Sequence, residues 1–341
     1  MPKIKHKNVA VIGAGSWGTA IIKILSEHKK TPDSKMDNLM WWIRSAEKAK
    51  YIIEKHHNPD YISSIEIHPD LVQVSNNLKE IVSKCDIIIL AVPSAFLKES
   101  LESIDADDLK GKVIISAIKG LLPHSKKIVG DFITEEFKVS DTNIMVISGP
   151  CHAEEVASEK LSYLTIAGSN QEMARHFASM LNNRYIRTVI SNDVRGTEYG
   201  AVLKNIYAVM AGVCHGLGYG DNFQAVLMSN AIREMKRFLR NITDTNRKIN
   251  HSAYLGDLLV TGYSQHSRNR TFGNMIGKGY TVKSAQLEMN MVAEGYYSIK
   301  TMYELNKNLH INMPILDAAY NIIYNNASAK IEVENLTEKL V

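Results

Sequence analysis

The stretch that most limits what this chain can fold into lies close to its N-terminal end. Asn8 to Ile12 (NVAVI) is a short apolar run ending at Gly13-Ala14-Gly15-Ser16-Trp17-Gly18. Thr19-Ala20-Ile21-Ile22-Lys23-Ile24-Leu25 then repeats apolar residues at helical spacing. The pattern predicts strand, glycine turn, helix. Each glycine has a physical reason: a tight turn at Gly13, close backbone approach to a pyrophosphate at Gly15, and close helix–strand packing at Gly18. The helix start then offers free amides and a positive dipole end to phosphate. A glycine turn without a ligand is the alternative, and the flanking strand and helix weigh against it.

Further strands follow the same logic. Leu39 to Ile43 arrives late, after a polar insertion spanning Glu27 to Asn38. Leu71 to Ser75 is a third candidate. Cys85 to Val92 is apolar throughout its second half, as in a strand buried on both faces of a parallel sheet. Lys112 to Ile118, Asn143 to Ile147, Leu161 to Ala167 and Tyr185 to Ile190 continue the series, with Gln171 to Leu181 helical between the last two. Alternating strands and helices predict an α/β domain, a doubly wound parallel sheet of the Rossmann kind, over residues 1–191. Ligands of such sheets bind beyond the carboxyl ends of the strands, where Gly13–Gly18, Ser94, Lys119 and Gly149–Cys151 fall.

Past residue 192 the strand pattern stops. Thr197–Gly212, Phe223–Leu239, Val282–Glu304 and Pro314–Asn326 read as helices, which predicts an all-α second domain over 192–341. The first of these is unusual. Tyr199, Val202, Leu203, Ile206, Val209 and Met210 recur at helical spacing, while Gly200, Ala201, Ala208, Ala211 and Gly212 fill the other side. Apolar and small residues all round describe a buried helix, yet Lys204 and Asn205 sit in its middle. Ala201, Ala208 and Ala211 share the face of Lys204, so something packs very close to the lysine. Either its stem covers apolar surface with the ammonium in water, or it is a proton donor or anion ligand.

Three further clusters stand out. Gly216 to Asn222 (GLGYGDN) is a glycine loop, and Gly256 to Thr261 (GDLLVT) places Asp257 in apolar company. Ser267-Arg268-Asn269-Arg270 starts a helix and mixes guanidiniums with neutral donors, a combination suited to phosphate. By itself that last cluster reads better as a basic surface turn.

Composition narrows the class. With 341 residues the chain has room for about two domains. A net charge of +4, with Lys3, Lys5 and Lys7 as a solvated lead-in, gives no nucleic-acid arm. Cys85, Cys151 and Cys214 are odd in number and far apart, which predicts neither a disulfide framework nor a Cys-based metal site and suits a reducing cytoplasm. The Ile87–Val92 run is too short to span a bilayer, and no secretory leader is apparent. The expectation is a cytoplasmic protein with no membrane span, no nucleic-acid partner and no metal. The sequence is compatible with a homodimer and does not fix the assembly.

Taken together the motifs resemble the soluble, bacterial-type NAD(P)-dependent glycerol-3-phosphate dehydrogenase family. The resemblance rests on GAGSWGTA at Gly13–Ala20, AVPS at Ala91–Ser94, KG at Lys119–Gly120, and SGP at Ser148–Pro150. It continues through LKN at Leu203–Asn205, GLGYGDN, GDLLVT, SRNRTFG at Ser267–Gly273 and AEG at Ala293–Gly295. Order and spacing both match over nearly the whole chain. The resemblance implies a Rossmann domain joined to a helical one, and reversible reduction of dihydroxyacetone phosphate to sn-glycerol 3-phosphate with NADPH or NADH. It implies that Lys204 is the acid/base, with Lys119 and Asp257 beside it. Lys119, Gly149, Cys151, Lys204, Asn205, Asp257, Thr261, Arg268 and Asn269 match residues around the substrate. Gly13, Gly15, Ser16, Trp17, Gly18, Arg44, Ser94, Lys119, Ala153, Arg268, Val292 and Glu294 match cofactor contacts.

A lysine depressed toward neutrality by burial and by Lys119 suits a general acid, with Asp257 holding it and partly opposing that depression. Arg44 stands where such folds usually show an acid for the ribose hydroxyls, so NADPH should be preferred. Three positions depart from the family pattern. Cys151 replaces the usual Ser or Thr after SGP, His215 replaces the acid before the glycine loop, and the segment between Leu239 and Gly256 lacks the family's glycines. Two other readings compete: a related two-domain reductase of the 6-phosphogluconate or 3-hydroxyacid dehydrogenase type, and a non-catalytic NAD(P)-binding sensor. The first lacks a reason for LKN with GDLLVT. The second has no need of Lys119, Lys204, Asp257 and Arg268 together.

Overall fold

The computed structural model describes residues 7–243, 247–289 and 293–341. The chain divides into two compact units. The first comprises the chain up to Val92 together with Phe96–Ile118 and Val129–Val194. The second comprises Pro93–Ala95, Lys119–Ile128 and Arg195–Val341. Two short excursions within 1–191, carrying Ser94 and Lys119, thus belong with the helical unit.

The first unit holds one eight-stranded sheet: β1 (Asn8–Ile12), β2 (Asn38–Trp42), β3 (Gln73–Ser75), β4 (Ile87–Leu90), β5 (Val113–Ser116), β6 (Ile144–Ser148), β7 (Ser162–Gly168) and β8 (Ile186–Ser191). Their order across the sheet is β3-β2-β1-β4-β5-β6-β7-β8. Helices α1 (Ser16–Lys29), α2 (Ala46–Lys55), α3 (Leu78–Lys84), α4 (Leu97–Ser100), α5 (Val129–Phe137), α6 (Ala153–Ala157) and α7 (Gln171–Leu181) connect the strands. Every residue of β4, β5 and β6 is buried, because a strand covered on both faces excludes water from both rows of side chains.

Two expectations need correction. The sheet is parallel except between β6 and β7, which run antiparallel with Met145 opposite Gly168. The polar segment after α1 is also shorter than Glu27 to Asn38. Glu27 lies inside α1, where it accepts from Lys23 and from the Tyr185 hydroxyl, so its polarity marks an internal network rather than a loop.

The second unit is helical: α8 (Val194–Gly216), α9 (Asp221–Ile242), α10 (Asp257–Tyr263), α11 (Arg268–Gly277), α12 (Val282–Glu288), α13 (Glu294–Leu309), α14 (Pro314–Tyr324) and α15 (Ala329–Thr337). From Gly196 to Cys214 every residue of α8 except Tyr199 is buried, and the other helices wrap it. Val282–Glu304 is not one helix. Helix α12 ends at Met289, which is extended, and α13 restarts after an extended Ala293.

Candidate active site

Strand order reverses at β1, whose neighbours are β2 and β4, and ligands of open α/β sheets bind at that switch point. Gly13 follows β1 with φ +118°, and a Cβ there would lie 2.7 Å from the Ala91 carbonyl oxygen beyond β4. At Gly18 a Cβ would meet the Gly13 carbonyl oxygen at 2.2 Å, so only glycine lets α1 begin this close to the turn. Gly15 faces open space and stands at the N-cap of α1, where it supplies no side-chain hydrogen bond to the helix. The buried indole N–H of Trp17 has no hydrogen-bond partner among the described residues. An open glycine cradle at a helix start with no N-cap side chain, and an orphaned donor, fit a dinucleotide pyrophosphate.

The rest of the first unit's predicted residues are placed as follows. Ser16 is buried in the first turn of α1, and Ala153 is buried at the start of α6. Gly149 turns with φ +113°, and its missing Cβ admits the Tyr163 carbonyl oxygen, which would lie 2.7 Å away. Cys151 donates its thiol to the Gly149 carbonyl, 3.2 Å away, so it orders its own turn. Arg44 is exposed at the end of β2, paired with Glu99 at 3.3 Å and lying over the Phe96 ring.

The second unit assembles the charged residues. Lys204 is 4% exposed, so it does not reach water with its ammonium. Its Nζ donates to Asp257 Oδ1, and the Lys119 Nζ lies 3.5 Å from Asp257 Oδ2. One carboxylate thus lies between two ammonium groups, leaving the trio one formal positive charge in excess. Asp257 is 1% exposed and begins α10 directly after the helical turn Ser252–Gly256. Thr261, one turn on, donates to the Asp257 carbonyl at 2.6 Å. Asn205 Nδ2 donates to the Lys119 carbonyl at 2.8 Å, fixing the turn that presents that lysine.

A second group adjoins this one along the chain. Ser94 donates its backbone N–H and its hydroxyl to the two Glu294 oxygens, at 3.0 and 2.7 Å. Gly120, next to Lys119, leaves room for both, since its Cβ would be 2.4 Å from Glu294 Oε2. Burial pushes the Glu294 carboxyl above the usual range, against the Ser94 hydrogen bonds and the nearby Arg268 charge. Asn269 accepts from the Gly295 N–H at 2.8 Å, tying α11 to the start of α13. Arg268, half-buried, opens α11 behind the Ser267 N-cap. Val292 lies outside the described residues.

The close packing expected around Lys204 exists, but its tightest part is displaced around the helix. Asn205, Val209, Gly212 and Gly216 form one strip of α8. Against it, a Cβ at Gly212 would be 2.0 Å from the Arg270 carbonyl oxygen, and one at Gly273 would be 1.9 Å from that of Val209. Backbone-to-backbone contact therefore sets where α11, with Arg268 and Asn269, stands relative to α8. Glycine spacing in GLGYGDN and SRNRTFG was visible in the sequence, but which faces met was not.

Among the described residues, no helix is long and apolar enough to cross a membrane, and no group of three His, Cys, Asp or Glu could hold a metal ion. All three cysteines are free.

Residues 8–174 match the family model for the N-terminus of NAD-dependent glycerol-3-phosphate dehydrogenase, and residues 193–334 match the model for its C-terminus. The chain is 36% identical over 333 residues to glycerol-3-phosphate dehydrogenase [NAD(P)+] of an Exiguobacterium species, covering 97% of this chain and 95% of the relative. It is 35% identical over 337 residues to the enzyme of that name from Latilactobacillus sakei, covering 97% and 96%. The crystal structure of glycerol-3-phosphate dehydrogenase from Coxiella burnetii superposes with a TM-score of 0.90 at 25% identity, covering 98% of this chain and 99% of that one. The glycine cradle, the Lys204–Asp257–Lys119 trio and full-length similarity agree: the chain belongs to the NAD-dependent glycerol-3-phosphate dehydrogenase family and is an NAD(P)-dependent oxidoreductase.

Proposed function

We propose that the protein interconverts dihydroxyacetone phosphate and sn-glycerol 3-phosphate, with Lys204 moving the proton at the carbonyl oxygen. The bound nicotinamide, NADH or NADPH, supplies the hydride. The chain's own residues bind, orient and protonate. In this reading Gly13, Gly15, Ser16, Trp17 and Gly18 hold the dinucleotide, with Arg44, Ser94, Ala153 and Glu294 as further contacts. Arg268 and Asn269 take the substrate phosphate, and a guanidinium fork matches that group better than a point charge. Lys119, Asn205 and Thr261 surround the reacting end, and Gly149 and Cys151 are further substrate contacts in this reading. Lys119 and Arg268 serve both ligands.

The observation that carries this reading is the buried hydrogen bond between Lys204 and Asp257, with Lys119 at the same carboxylate. Burying a lysine on a helix with no solvated face is costly unless the charge has a partner and a use. Asp257 supplies the partner. Delivery of a proton to an oxygen that gains negative charge as hydride arrives supplies the use.

Purified protein should oxidise NADH and NADPH only when dihydroxyacetone phosphate is added, as followed by the absorbance of the reduced cofactor. No turnover with that substrate under either cofactor would refute the assignment. Three free cysteines fit a cytoplasmic setting. A homodimer is one assembly compatible with the chain, and light scattering of the purified protein decides it.

A further inference from the structure

Asp257 reaches Lys204 because of what precedes it. Ser252–Gly256 forms a π-helical turn, a rare form in which the chain takes an extra residue per turn and which recurs at functional sites. Where that turn ends, Asp257 begins α10. Each helical residue turns the chain by about 100°, so the extra residue decides which way the carboxylate points. Tyr254, in the middle of the turn, is 4% exposed and lies against α8 at Gly200. A Cβ built on Gly200 would be 2.9 Å from Tyr254 Cδ1 and 3.3 Å from Cε1.

These contacts are two rungs of one ladder. Gly200 stands four residues before Lys204 on the same face of α8. Tyr254 stands three residues before Asp257. The Gly200–Tyr254 rung and the Lys204–Asp257 rung therefore lie about one turn apart, and the first sets the spacing of the second. We infer that Gly200 and Tyr254 are positioning residues for catalysis: the missing side chain at Gly200 seats the Tyr254 ring, and that seat aims Asp257 at Lys204. This rests on Lys204 being the proton donor proposed above.

The effect of filling the seat follows from contact distances. Carbon pairs settle at about 3.5–4.0 Å, so a methyl at Gly200 displaces the ring by roughly 0.6–1 Å. Hydrogen bonds weaken beyond about 3.2 Å, and misplacing a catalytic group by about 1 Å can cost on the order of 100-fold in rate. Helix propensity offsets only part of the overpacking cost at this buried ring, although alanine is a better helix residue than glycine. A loss of kcat measured well below the melting transition, in fully folded protein, is thus the signature.

The test measures kcat, both KM values and the melting temperature for Gly200→Ala, Tyr254→Leu and the double variant. Gly200→Ala, assayed well below its melting transition, should lose roughly 10–100-fold in kcat, with both KM values within about twofold. The double variant should recover part of the lost kcat, since residues in contact do not act additively. Wild-type kcat in Gly200→Ala would overturn the inference, as would a kcat loss fully accounted for by the unfolded fraction at the assay temperature or a double variant no better than Gly200→Ala. Should Gly200→Ala fail to fold, Tyr254→Leu carries the test: kcat falls with KM held if the ring aims Asp257, and an unchanged kcat refutes it. A fully active Lys204→Ala protein would instead break the underlying assignment. An inactive Lys204→Ala beside a wild-type-like Gly200→Ala would break only this inference.

Discussion

Cofactor choice can be worked through from one surface ion pair. Arg44, at the end of β2, is where a 2′-phosphate would meet a charge-assisted donor, and Ser45 caps the next helix through Lys48 N–H. The guanidinium already has a partner in Glu99, 3.3 Å away, with the two side chains 63% and 58% exposed. Such exposed pairs are worth about 0.2–1 kcal/mol. A 2′-phosphate that recruits Arg44 must give up that amount, so Glu99 blunts the preference for NADPH. Glu99→Gln should therefore raise the NADPH-to-NADH ratio of kcat/KM by roughly 1.4- to 5-fold, since about 1.4 kcal/mol is tenfold. Arg44→Asp should reverse the wild-type preference, a change worth about 1–2 kcal/mol and reduced by salt. The assay is initial-rate kinetics with each cofactor at two ionic strengths. Wild-type protein that accepts only NADH, or a ratio unmoved by Arg44→Asp, would refute the reasoning.

Other residues give sharper or independent tests. Arg268→Lys should raise KM for dihydroxyacetone phosphate markedly and affect unphosphorylated dihydroxyacetone much less, because a point charge does not reproduce a bidentate fork; equal losses on both would remove Arg268 from the phosphate. Asp257→Asn should lower kcat while the shape of the side chain is kept, and unchanged turnover would show that the carboxylate charge is not needed. In the core, Glu234 accepts from the Ile315 and Leu316 amides at the start of α14, and burial pushes its carboxyl up to about 8, with Arg237 opposing and Asp317 adding to the rise. A raised carboxyl binds its proton more tightly in the folded state. Stability should therefore fall as pH rises from the ordinary carboxylate range toward 8, by up to about 1.4 kcal/mol per pH unit. Glu234→Gln should flatten that slope in denaturation at several pH values, and an unchanged slope would contradict it.

What the sequence made legible was whatever repeats locally. The Ile87–Leu90 strand, the Gly13–Gly18 turn and the Gln171–Leu181 helix each declare themselves within a few residues, because periodicity and glycine chemistry act at short range. Pairing was not legible. Nothing near Asp257 says that its carboxylate meets lysines 53 and 138 residues away. The antiparallel step from β6 to β7 leaves no mark either, since a buried strand is apolar in whichever direction it runs. Val282–Glu304 reads as continuous because apolar residues keep helical phase across a break made by extended Met289 and Ala293. Gly200 was visible as one of several small residues on α8. Its specific use depends on Tyr254, which arrives through a π-helical turn that no periodicity signals.

The central claim is that Lys204 moves the proton, and single-turnover and steady-state rates of Lys204→Ala address it most directly. The variant should bind NADH and NADPH as the wild type does, retain its melting transition, and lose about 10²–10⁴-fold in kcat with dihydroxyacetone phosphate. Turnover near the wild-type rate in a folded, cofactor-binding Lys204→Ala protein would contradict the account.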